Sequence, residues 1–141
     1  MSQEAMIEAN KRMGEAITSG KLEELREVIS EAVVDHDPAP DQGPGAQGFI
    51  DFFTTMRNAF PDLYSTVEHQ IATDDHVAVA YRMRGTHGGD FMGIPATGKP
   101  VDIRGMQIAR FEDGKMVERW GSSDQLSMFQ QLGAEPRLTA D

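Results

Sequence analysis

Residues 101–122 read VDIRGMQIARFEDGKMVERWGS. Ile103, Gly105, Gln107 and Ala109 share one side of an extended run that ends at Phe111. Asp113-Gly114 follows, a pair that tolerates the backbone reversal of a tight hairpin turn. Met116 to Ser122 then returns as the partner strand. A long hairpin near the end of a chain needs a sheet to join and a layer to cover it.

The sheet continues upstream. Val77, Val79, Tyr81 and Met83 form one face of a strand, with Ala78, Ala80, Arg82 and Arg84 on the other. Asp74-Asp75 marks a turn before it. From Leu63, the residues Val67, His69 and Ile71 alternate with Thr66, Glu68 and Gln70. Gly85 to Pro100 is a Gly- and Pro-rich connection. The expected sheet is a four-stranded antiparallel meander.

The pattern before the sheet is helical. Met6, Asn10, Met13 and Ile17 predict a first helix ended by Gly20, and Leu22, Leu25, Val28 and Ile29 a second. Ala32 to His36 reads as a brief extended piece. Asp37 to Gly48, rich in Pro and Gly, is a loop placed to cover something. Phe49, Phe52, Phe53, Met56 and Phe60 define a third helix stopped by Pro61. After the hairpin, Asp124 is expected to cap a short helix running to Gln131, closed by Gly133. The class is therefore α+β: a curved antiparallel sheet packed on three N-terminal helices, with an apolar hollow at one end. Residues 1–133 form one domain and 134–141 a tail.

Composition narrows the partners. Twenty-three acidic against 13 basic residues give a net charge of -10 over 141 residues, which repels phosphate backbones and anionic membrane. No run approaches the roughly 18 apolar residues of a membrane span. The first ten residues carry Glu4 and Glu8 and no signal-peptide pattern, so a cytoplasmic location is expected. With no cysteine there is no disulfide, thiolate zinc site or Cys nucleophile. His36, His69, His76 and His87 lack paired ligand spacing, so no metal site is expected.

Three segments carry a family resemblance: Ala59-Phe60-Pro61-Asp62-Leu63; the run Gly85-Thr86-His87-Gly88-Gly89-Asp90-Phe91 through Gly98-Lys99; and Arg110-Phe111-Glu112-Asp113-Gly114-Lys115, continuing through Trp120, Asp124 and Gln131-Leu132-Gly133. Together they resemble the SnoaL-like polyketide (ester) cyclases. The resemblance implies the cone-shaped fold shared with ketosteroid isomerase and nuclear transport factor two. It also implies intramolecular aldol ring closure without metal or organic cofactor, and oligomers built through the outer face of the sheet. Members use an acid on the last strand with a histidine and a glutamine on its neighbour. Here those three positions hold Gly121, Gln107 and Gly105.

Ring closure needs a base beside a carbonyl and a donor for the enolate oxygen. His36, between Asp35 and Asp37 at the loop mouth, is the candidate base, set against an exposed loop histidine. Asp124 is the candidate replacement carboxylate, set against a plain helix cap. Arg119 shares parity with Gly121 and Val117, so it is expected to face inward and bind an oxyanion. Glu118 and Trp120 then face outward, with Glu118 paired to Arg104 or Arg82; a bulge would swap the two sets. Gln107, Tyr81, Met83, Phe53, Met56, Phe60 and His87 are the candidate substrate-binding residues. For the aromatic stripe and Tyr81 the alternative is core or wall, and for His87 a turn-stabilising role. The expected ligand is a small apolar carbonyl compound, and the expected assembly a homodimer or larger homo-oligomer. The alternative to an enzyme is a binding or dimerisation domain of the same fold.

Overall fold

In the computed structural model, which describes residues 1–134, the sheet has five strands, one more than the expected meander. Residues 135–141, most of the expected tail, lie outside the described residues. The order is α1 (Gln3–Ser19), a 3-10 turn (Leu22–Glu27), β1 (Ile29–Asp35), α2 (Gly45–Ala59), β2 (Tyr64–Ala72), β3 (His76–Thr86), β4 (Pro100–Glu112), β5 (Lys115–Ser123) and α3 (Gln125–Gln131). The sheet runs β1-β5-β4-β3-β2. The last four strands form the antiparallel meander, and β1 joins its far edge parallel to β5. None of the helices is long and apolar enough to cross a membrane among the described residues.

The helical layer follows its apolar spacing. Ser2 caps α1 by accepting from the Ala5 N–H, and Gly20, at φ 81°, ends it in the left-handed region. Met6, Ala9, Asn10, Met13 and Ala16 are its buried stripe. The expected second helix is corrected to a 3-10 turn of six residues. Its apolar residues Leu22, Leu25 and Val28 recur every third position, which suits three residues per turn. Ile29 then belongs to β1. The loop before α2 ends at Pro44, earlier than expected, and α2 opens with Gly45 and Gly48 in its first turn. Gly48 lies so close to the Gly43 carbonyl that no side chain fits there.

Two bulges set which side chains face the helices. In β2 the register slips at Glu68: Val67 opposes Tyr81, but His69 opposes Ala80 and Ile71 opposes Ala78. The expected single alternation therefore breaks, and Ile71 is 70% exposed. In β5 the register slips between Met116 and Glu118. Met116 takes the core place expected of Val117, while Arg119 and Gly121 keep their inward parity. On the inner face Val77, Val79, Tyr81 and Met83 oppose Ala109, Gln107, Gly105 and Ile103.

Two apolar clusters fill the space under that face. One joins Met6, Met13, Leu25, Ile50, Val77, Val79 and Met116; the other joins Met56, Phe60, Leu63, Val101, Ile103 and Met128, with Phe53 touching both.

Candidate functional site

Arg119 is the polar centre of the inner face. It sits on β5 opposite Ala109 of β4 and Asp35 of β1. Its Nε donates to Gln107 Oε1 at 2.8 Å. Its Nη1 donates to both Asp35 oxygens, at 3.0 and 3.3 Å, and to the Asp37 carbonyl at 3.3 Å. The Arg119 side chain is 17% exposed and that of Asp35 only 7%. A charge pair so shielded persists because each partner is hydrogen-bonded on several sides. Arg119 Nη2 has no hydrogen-bond partner among the described residues.

Asp35 also anchors the loop above it. Its oxygens accept from the Asp37 N–H and from Gln42 Nε2, each at 3.0 Å. Asp37 reaches over to accept from the Gly121 N–H at 2.9 Å. Beneath the loop lies a cleft of about 340 Å³, lined by Asp35, Val33, Pro38, Gln42 and Phe49 among others. That is the lower end of small-ligand pockets. The loop residues Pro38, Gln42 and Pro44 line this cleft, which takes in Asp35 but not Arg119, Gln107 or Tyr81.

Tyr81 lies across β3 onto Gly105 of β4. Burial pushes its phenol pKa up, against a smaller opposing pull from the Arg119 charge. It therefore stays protonated and able to donate at neutral pH. Gln107, Tyr81 and Arg119 are brought together, as the alternation suggested.

His36 is not among them. It follows Asp35, so strand parity sends its ring to the outer face. There it stacks on Trp120 at 4.7 Å and Nε2 donates to Glu118 Oε2 at 2.8 Å. Glu118 accepts from Arg110 as well, which corrects the expected pairing with Arg104 or Arg82. Its carboxyl is held below the usual range, first by the His36 contact and then by Arg110. Arg82 and Arg84 pair instead with Asp102.

Asp124 stands at the start of α3, accepting from the Ser127 N–H and hydroxyl. Those bonds hold its pKa down, which suits a cap and not a proton donor. His87 is fully buried beside Phe60, ring centres 5.5 Å apart. Its Nδ1 lies 3.0 Å from the Thr97 hydroxyl and 3.2 Å from the Thr97 N–H, and its buried Nε2 has no hydrogen-bond partner among the described residues. Met83, Met56, Phe60 and Phe53 belong to the second apolar cluster.

Asp35, Asp37 and Gln42 are the site residues that motif reading passed over. The signal was present: if Arg119 points inward, an extended Asp35-His36 pair divides between faces.

Residues 7–132 match the SnoaL-like polyketide cyclase family. Aklanonic acid methyl ester cyclase DnrD of Streptomyces peucetius is 27% identical over 141 residues, covering 96% of this chain and 94% of that protein. Among solved structures, IdmH of Streptomyces antibioticus is 36% identical over 92% of this chain and 99% of its own, with a TM-score of 0.80. TsrD of Streptomyces laurentii superposes with a TM-score of 0.87 over 95% and 98% of the two chains, at 22% identity.

Proposed function

Because the chain belongs to the SnoaL-like polyketide cyclase family, we propose that it closes a ring in a small carbonyl-bearing polyketide by acid/base chemistry on the inner face of its sheet. The observation that carries this reading is Arg119, braced by Gln107 and Asp35 with Nη2 left for a ligand. Asp35 takes the role first expected of His36, since it is the carboxylate bonded to Arg119 beside the cleft. In the proposed step Asp35 removes a proton beside one carbonyl, and Arg119 holds the resulting enolate oxygen. The enolate carbon then attacks a second carbonyl of the same molecule, and the new alkoxide takes the proton back. Atoms and charge balance without a cofactor.

The test is ring closure of a polyketide methyl ester followed by chromatography. Asp35→Asn should lower turnover by roughly 10²–10⁴, the range usual for a lost acid/base group. An Asp35→Asn protein that is folded and fully active would overturn the assignment. A binding role without catalysis is the second reading, favoured because both Asp35 oxygens are already engaged by Arg119, Gln42 and the Asp37 N–H. Recovery of the ester unchanged after tight binding would select it.

We further propose that copies of the chain associate through the outer face. Ile71, Ala78, Ile108 and Trp120 form one row across four strands there, and Met106 beside them is 69% exposed.

A further inference from the structure

Gly105 and Gly121 sit inside strands, where glycine costs stability relative to any residue with a side chain to pack. Neither has a positive φ, so the backbone does not demand glycine at either place. What demands it lies above. A Cβ at Gly121 would meet Arg119 Nη2 at 2.5 Å and Cζ at 2.8 Å. A Cβ at Gly105 would collide with the Tyr81 ring and hydroxyl. Both obstructions are the working ends of polar side chains lying flat on the inner face.

The two seats are neighbours. Tyr81 opposes Gly105, and two residues along β4 Gln107 opposes Gly121. Gln107 also fixes Arg119 Nε, and the Asp35 pair fixes Nη1. The rest of the guanidinium is thereby aimed over Gly121. The Arg119 charge is felt at the Tyr81 hydroxyl.

We propose that these glycines are seats that make Tyr81 and Arg119 a two-donor cradle for one anionic oxygen, that of an enolate or an acidic phenol on the polyketide. The inference rests on the inner face being the ligand site and deepens that reading by naming the charge state the site selects. A neutral phenol hydroxyl and a cation both stabilise the oxyanion more than the neutral carbonyl or enol, so binding energy favours the deprotonated form.

The probe is 4-nitrophenol, whose absorbance separates phenolate from phenol, with 4-nitroanisole as the uncharged control. The full chain should bind the phenolate, and should do so below the pH at which free 4-nitrophenol ionises. Tyr81→Phe, which keeps the ring and the packing, should weaken phenolate binding by about tenfold, the size of one hydrogen bond to a charged group. Gly105→Ala and Gly121→Ala, which displace the two donors, should do at least as much while leaving 4-nitroanisole binding within about twofold. Phenolate binding unchanged in Tyr81→Phe, or no phenolate preference in the unaltered chain, would overturn the cradle. Tyr81-dependent phenolate binding by a protein that never closes a ring supports the cradle and removes the cyclase reading, so the two fail separately.

Discussion

Asp35 and His36 are adjacent in the chain and serve opposite sides of the sheet. That division makes a sharp pair of expectations. His36→Ala should leave turnover within about twofold, as for other surface changes away from the site, whereas Asp35→Asn should nearly abolish it. A large loss in His36→Ala, measured in the same ring-closure assay, would restore the histidine as base. The Asp35–Arg119 pair also carries stability. Arg119→Met leaves a shielded carboxylate uncompensated, which typically costs about 3–5 kcal/mol. Adding Asp35→Asn should recover part of that loss in urea titrations, because the buried charge goes with its partner; strict additivity of the two would mean the groups do not interact. At this scale the sequence was informative about parity and silent about reach. Arg119, Gln107 and Tyr81 were legible as an inward set because strand alternation is a rule. That Gly105 and Gly121 lie beneath their side chains was not legible, since nothing local says which way a long side chain leans.

Among the elements, the connection between β3 and β4 shows how a glycine-rich stretch is held. Asp62, just past α2, accepts from the Thr86 N–H at 2.6 Å and from its hydroxyl at 2.8 Å. The Gly88 and Gly89 N–H groups donate to Ala59, so the connection is clamped to the end of the helix. The two Thr86 bonds depress the Asp62 pKa, the backbone N–H more than the hydroxyl. A carboxyl with a depressed folded pKa adds stability that is present above its unfolded pKa, about 4. That stability is lost as pH falls through the lower folded value. The urea midpoint should therefore hold between neutrality and about pH 5 and fall below about 4, and Asp62→Asn should flatten part of that fall. An acid limb identical in Asp62→Asn would place the dependence elsewhere. Phe60, fully buried between α2 and this connection, should cost about 3–5 kcal/mol on truncation to Ala, read by the same titration. Helices α1 and α2 and the 113–114 hairpin were readable because their signals are local. The bulges in β2 and β5 were not, because a bulge is a relation between two strands. Of β1 only the extended piece from Ala32 was read; its start at Ile29 and its place beside β5 were not, because its partner is distant in the chain.

For the whole molecule, the outer row Ile71, Ala78, Ile108 and Trp120 predicts self-association. Ile108→Asp should shift the elution and scattering mass toward one copy, with thermal stability of the fold retained; an unchanged mass would disfavour this face as the contact. The sheet's closure has a different consequence, one of time. Asp35 and Arg119 meet only when β1 docks on β5, across 84 residues of chain. Strands far apart in sequence pair late, because their loop must close before contact rewards it. A chain emerging from the ribosome can finish α1, α2 and the first strands of the meander while β1 still waits for its neighbour to be made. The Asp35–Arg119 pair is thus among the last contacts the growing polypeptide can make, and a product ending before β5 would hold Asp35 without its partner.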